Sequence, residues 1–227
     1  MTEHTDPPFL MLDEDVIASC KLRCDPYDYA FVDQALPLSM KEEVLSDAPE
    51  IPWRGSYAMK QLDYGPHFDN ILTDLYSDRF RRLVEQTLEI DLEGCPASIV
   101  MMGNTTGAYN EGYAHPDSKH KIATVILGFS EEWPYERGKF RILRSNSRED
   151  CAFEFPPEYG KMVMFRVCDH SWHGFLPQKG KRMSLQLCYV DSENYVRREN
   201  WRHGISALAK SNAITRKVLQ WAPRRLF

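Results

Sequence analysis

Ala114-His115-Pro116-Asp117 and, far downstream, Ser171-Trp172-His173-Gly174 followed by Lys181-Arg182-Met183-Ser184-Leu185-Gln186-Leu187 frame the stretch on which the fold turns. From residue 97 onward the apolar residues fall into short β-branched or aromatic runs separated by turns. The runs at 98–102, 122–129, 139–143, 151–155, 161–167, 171–175 and 183–190 give seven candidate strands, a spacing that predicts a sandwich or jelly roll. His115 and Asp117, two residues apart, share one side of an extended segment. With His173 arriving from a distant strand, they make a two-histidine, one-carboxylate set. Such a set suits Fe(II) and leaves the opposite side of the metal open to exogenous ligands. Arg182 and Ser184 share one face of an alternating apolar run. A guanidinium and a hydroxyl so placed hold a carboxylate by forked hydrogen bonds.

Each element alone is ordinary. A His-x-Asp is commonly a turn-capping aspartate beside a surface histidine, a histidine next to a tryptophan is often a satisfied core residue, and an arginine at a strand start is often surface charge. The order and spacing of all of them together is not ordinary. At these residues the sequence resembles the Fe(II)/2-oxoglutarate-dependent dioxygenase superfamily and, within it, the prolyl-hydroxylase-like branch. The likeness runs over about residues 99–190 and includes Gly103-Asn104-Thr105-Thr106-Gly107 and Gly138-Lys139-Phe140-Arg141-Ile142-Leu143. It implies a double-stranded β-helix (jelly-roll, cupin-like) core. It also implies Fe(II) held by His115, Asp117 and His173, and 2-oxoglutarate held by Arg182 and Ser184. O2 is then consumed, succinate and CO2 are released, and an unactivated C–H bond is hydroxylated. Retention of Asp117 favours an oxygenase over a halogenase. The tyrosine that commonly contacts the co-substrate in the strand after the His-x-Asp is missing from Ala123-Thr124-Val125-Ile126-Leu127. Tyr109, Tyr113, Lys121 and Thr124 are the candidates for that helper.

Outside this stretch the signals are structural. Residues 1–26 form an acidic, proline-bearing lead, and 26–36 reads as a strand. Ser39 is placed to cap a short helix over 40–45, and 49–66 reads as a structured loop. Apolar residues at 68, 71, 72, 75, 76, 80, 83, 84 and 88 have helical spacing, predicting one or two helices against the outside of a sheet. The chain is therefore expected to be α+β. Residues 1–96 are a strand and helix support region within the same domain, 97–191 the catalytic core, and 192–227 a basic C-terminal helical extension. His67, His120, His170 and His203 are assigned structural or surface places.

The 227 residues, 43% hydrophobic and 12% aromatic, suit one globular domain. A net charge of −5 and the absence of a basic, aromatic binding stripe disfavour nucleic acid as substrate. Cysteines at 20, 24, 95, 151, 168 and 188 show no CxxC or zinc-type repeat, and no segment has the length to span a bilayer. A reducing, cytoplasmic setting is expected. The stretch 204–227 carries Lys210, Arg216, Lys217, Arg224 and Arg225 without an acid. A helix packed on the domain is favoured there over peripheral contact with an anionic membrane. The favoured substrate is a small molecule or sugar, with Trp53 and Trp133 on candidate substrate loops. A prolyl-type protein substrate, a non-catalytic cupin-like binding module and a zinc hydrolase are the rival readings.

Overall fold

The computed structural model describes residues 6–211, with side chains to residue 203. In chain order the elements are α1 (Glu14–Ala18), β1 (Leu22–Arg23), β2 (Tyr29–Val32), α2 (Lys41–Asp47), β3 (Gly55–Ala58), α3 (Pro66–Tyr76) and α4 (Asp78–Leu88). They continue as β4 (Ala97–Thr106), β5 (Lys121–Gly128), β6 (Phe140–Leu143), β7 (Cys151–Phe155), β8 (Met162–Arg166), β9 (His173–Gly174), β10 (Lys179–Val190) and α5 (Glu193–Ser211).

Two antiparallel sheets result. The larger has the order β1-β2-β8-β5-β10-β4-β3, and the smaller β7-β6-β9. Side-chain alternation sorts the residues between two cores. Odd residues of β5 and β10 (Val125, Leu127, Leu185, Leu187) and even residues of β8 (Met162, Met164) face α3 and α4, packing against Phe68, Ile71, Leu75, Phe80 and Val84. The opposite parity (Ile126, Val163, Phe165) turns between the sheets and meets Phe140, Ile142 and Phe155 from the smaller one. Arg182, Ser184, Gln186 and Cys188 share the second parity, so β10 points its polar side into the space between the sheets.

Of the one or two helices expected over the 68–88 periodicity, two are present, split at Ser77, whose hydroxyl accepts from Phe80 N at the start of α4. Three local expectations need correction. Ser39 does not cap a helix: it sits inside a 3-10 turn, Leu38–Met40, and α2 starts at Lys41 with no side-chain cap. The 49–66 stretch is not only loop, because Gly55–Ala58 adds an edge strand to β4. The 171–175 strand shrinks to two residues, because Ser171 closes a turn with Cys168 through its backbone N–H and its hydroxyl.

Helix α5 begins at Glu193, ahead of the expected basic stretch, and packs against β3. The apolar stripe and basic side expected over 204–227 lie outside the residues whose side chains are described. Among the described residues no helix is long and apolar enough to cross a membrane, and the cysteines are free thiols.

Candidate metal centre and its cavity

His115 and His173 are joined through their backbones. Each N–H donates to the other's carbonyl at 3.1 Å, a single antiparallel bridge that adds the 115 segment to the edge of β9. Both rings are oriented alike. His115 Nδ1 lies 3.0 Å from Tyr113 O and His173 Nδ1 2.9 Å from Ser171 O, in each case the carbonyl two residues upstream. Those contacts assign the proton to Nδ1 and leave Nε2 as the free lone pair on each ring. Tyr113 packs on His115, with ring centroids 4.7 Å apart, while Phe165 and Phe140 pack on His173 at 4.9 and 5.6 Å. Burial pushes His173 down to about 4, despite the opposing pull of Asp117, so its imidazole is neutral and competent to ligate at neutral pH.

Asp117 completes the set. One ligand atom from each of the three residues lies within 4.8 Å of the others, the only such grouping of histidine, cysteine or acid among the described residues. Its carboxylate is gripped at both oxygens: Lys121 Nζ donates to Oδ1 at 2.6 Å and Thr124 Oγ1 to Oδ2 at 2.7 Å. Burial would raise the Asp117 carboxyl, but Lys121, His173 and Thr124 outweigh it and hold it well below the usual carboxylate range. Two imidazoles with their Nε2 lone pairs free and one ionised carboxylate converging on a point fit Fe(II).

Arg182 and Ser184 stand further along the same cavity, which measures about 510 Å³ and is also lined by His115, Asp117 and His173. Opposite Asn104, whose φ is 55°, the β10–β4 register slips between Gly180 and Met183, placing Lys181 and Arg182 in a bulge. Arg182 is only 4% exposed. Its Nε donates to Gly138 O at 2.9 Å and its guanidinium lies 4.4 Å from the Phe175 ring centroid. No carboxylate among the described residues pairs with it, and burial alone pushes it down to about 10. Ser184 Oγ is buried with no hydrogen-bond partner. An unpaired buried cation beside an orphaned buried hydroxyl fits a carboxylate-bearing co-substrate such as 2-oxoglutarate, which would satisfy both.

The helper candidates separate. Tyr113 lines the cavity. Tyr109 does not: it is 86% exposed and lies against Arg148. Lys121 and Thr124 both donate to Asp117, so they bear on the carboxylate ligand, and Lys121 also lines the cavity. Trp53 lines the cavity. Trp133 does not, because its indole is buried, donates to Arg137 O at 2.8 Å and fills the space over Gly138. His120 and His67 pair with Asp191 and Asp47 and are not part of the ligand grouping. His203, expected outside the core, lines the cavity.

It does so because α5 turns one face to the site. Tyr195, Glu199, Arg202 and His203 recur at helical spacing and all line the cavity. Facing residues from the β3 lead and the 107–113 loop include Arg54 and Glu111, paired at 2.9 Å. None of these was marked by a motif. The helical spacing at 195, 199, 202 and 203 was the available signal, and only long-range packing says what that face meets.

Residues 99–189 match the family model described as the 2OG-Fe(II) oxygenase superfamily. Comparison with curated proteins finds no match. Among solved structures, the chain is similar to a Pseudomonas putida prolyl-4-hydroxylase (18% identity, 78% of this chain and 96% of that one, TM-score 0.48). It is also similar to a prolyl 4-hydroxylase from Phytophthora capsici (12%, 73% and 59%, TM-score 0.50). A third is a Trichoplax adhaerens prolyl hydroxylase in complex with a hypoxia inducible factor oxygen degradation domain peptide fragment (14%, 74% and 86%, TM-score 0.50). At these identities the two likenesses with a TM-score of 0.50 speak to fold alone.

Proposed function

We propose that the chain, whose residues 99–189 match the 2OG-Fe(II) oxygenase superfamily model, is a 2-oxoglutarate-dependent oxygenase that hydroxylates an unactivated C–H bond of a small polar molecule, a sugar included. His115, Asp117 and His173 are the proposed Fe(II) ligands, and Arg182 with Ser184 the proposed anchors for 2-oxoglutarate. The bound metal and co-substrate supply O2 activation, with release of succinate and CO2. The chain's own residues orient and enclose. The two upstream carbonyls fix the histidine tautomers, Lys121 and Thr124 hold the carboxylate, and Phe140, Phe165 and Phe175 keep water from the buried side of the site. The two facing antiparallel sheets support reading 97–191 as a double-stranded β-helix core. Residues 1–96 then serve as its support, and the first turns of 192–227 contribute to the cavity.

The observation that carries the small-substrate reading is the wall made by α5. Tyr195, Glu199, Arg202 and His203 line the same cavity as the metal ligands, where a polypeptide substrate would need an extended groove. The test has two stages. Under anaerobic conditions, Fe(II) and then 2-oxoglutarate should give a visible charge-transfer band that His115→Ala abolishes. Metal binding without a band would sink the oxygenase assignment and favour the binding-module or zinc reading. In air, succinate release should be stimulated by small polar compounds and not by proline-containing peptides. The reverse would move the assignment to a protein hydroxylase.

A further inference from the structure

Two partly exposed arginines also line the cavity, each backed by an acid less exposed than itself. Arg54 is 24% exposed against 8% for Glu111, and Arg202 is 43% exposed against 18% for Glu199. Glu111 is fixed from behind. It accepts from Thr106 N at 2.9 Å, Thr106 Oγ1 at 2.8 Å and Gly107 N at 3.0 Å, as well as from Arg54 Nη1 at 2.9 Å. That single contact leaves Arg54 Nε and Nη2 with no hydrogen-bond partner among the described residues. Arg202 spends Nε and Nη2 on Glu199, at 3.1 and 2.5 Å, and keeps Nη1. An acid that anchors an arginine from the protein side presents the remaining planar donors to whatever enters, already oriented.

From this arrangement we infer that Arg54, positioned by Glu111 and assisted by Arg202, is the specificity-determining residue for an anionic group on the substrate, a carboxylate or a phosphate. The inference rests on the small-molecule reading above and narrows it to anion-bearing compounds. Arg182 is kept for the co-substrate by its position: it is nearly fully buried on β10 beside Ser184, whereas Arg54 is partly exposed on the lead into β3. Sequence motifs could not single out Arg54, because its role depends on an acid 57 residues away in the chain.

Calorimetry on the full chain, loaded with Fe(II) and 2-oxoglutarate without O2, tests this with matched probes. These are 3-hydroxybutyrate against 3-hydroxybutyramide, and glycerol 3-phosphate against glycerol. The expected result is binding of one anionic probe roughly tenfold or more tighter than its uncharged counterpart, and which pair shows the gap identifies carboxylate or phosphate. Arg54→Gln should erase that gap, and Glu111→Gln should narrow it. Equal binding of charged and uncharged probes, no binding of either anion at millimolar concentration, or an unchanged gap in Arg54→Gln overturns the inference. Should Arg54→Gln fold poorly, Arg202→Gln on the partly exposed helix face is the second variant, expected to narrow the gap. The charge-transfer band with 2-oxoglutarate is recorded on every sample. Its presence in wild type with no anion preference sinks only this inference, and its absence in wild type sinks the oxygenase reading itself.

Discussion

Lys121 Nζ lies 2.6 Å from Asp117 Oδ1, placing an ammonium against the one carboxylate of the candidate metal set. Both side chains are largely buried, so the pair is poorly screened. Removing the cation leaves a buried carboxylate with no counter-charge unless a metal supplies one. Lys121→Met should therefore destabilise the metal-free protein by on the order of 3 kcal/mol, with the deficit shrinking when a divalent metal saturates the site. Urea unfolding with chelator and with metal measures both. An equal loss in the two conditions would place Lys121 in ordinary packing.

Thr124 tests orientation without changing charge. Its hydroxyl is the donor to Asp117 Oδ2 at 2.7 Å, and Thr124→Val removes the donor while nearly keeping the volume. Metal affinity should fall by about tenfold, read by titration with Co(II) or Mn(II). An unchanged affinity would show that Lys121 alone orients the carboxylate.

Arg182 predicts a trade of function against stability. A guanidinium held at about 10 by burial, against roughly 12.5 unfolded, weakens the empty fold at neutral pH by about 3 kcal/mol. Arg182→Met should abolish the 2-oxoglutarate charge-transfer band with metal still bound, and should raise the unfolding midpoint of the ligand-free protein. A lower midpoint would mean that the Gly138 hydrogen bond and the Phe175 contact outweigh the burial of the charge.

These expectations also show which parts of the molecule a sequence reveals. Strand parity is local, so the common face of Arg182 and Ser184 and the apolar sides of β5 and β10 were legible without coordinates. The same holds for the helical spacing of α3 and α4, because periodicity records which side is buried. The partners of Lys121 and Thr124 were not legible. A register shift where Tyr189 and Val190 meet Ala123 and Lys121 brings both residues to Asp117, and bulges leave little trace in composition. Edge strand β3 was hidden because Gly55-Ser56-Tyr57-Ala58 has weak strand propensity and forms by pairing with β4. The face of α5 could be drawn as a helix, but what it faces depends on packing across the fold.

Acid should load the fold at His173. His173 is pushed down to about 4 by burial, while an unfolded histidine titrates near about 6.5. Between those values the unfolded chain holds more protons than the folded one, so stability falls as pH drops from about 6.5 toward 4. In chelator, the urea midpoint should decline through that window, and His173→Leu should flatten its upper half. Bound metal should steepen the decline, because protonating the imidazole also releases the ion. A midpoint flat from pH 6.5 to 5 in wild type would mean that His173 titrates normally (about 6.5) in the fold.

Gly174 is where backbone packing meets the metal set. A Cβ there would stand 2.7 Å from Gly112 O and 2.9 Å from Tyr113 O, both main-chain atoms that cannot swing aside. The 112–113 segment runs directly into His115, whose backbone is bonded to that of His173. Gly174→Ala must therefore push the two histidine-bearing segments apart. Overpacking of this kind costs about 1–3 kcal/mol, and the separation should also lower metal affinity in the folded variant by about tenfold. Gly94→Ala is the control: its φ of 71° makes alanine strained, yet nothing lies within 4 Å of the added carbon. It should lose about 1 kcal/mol and bind metal as wild type does. Equal metal affinity in the two variants would show that the His115–His173 bridge absorbs the displacement without moving the ligand atoms.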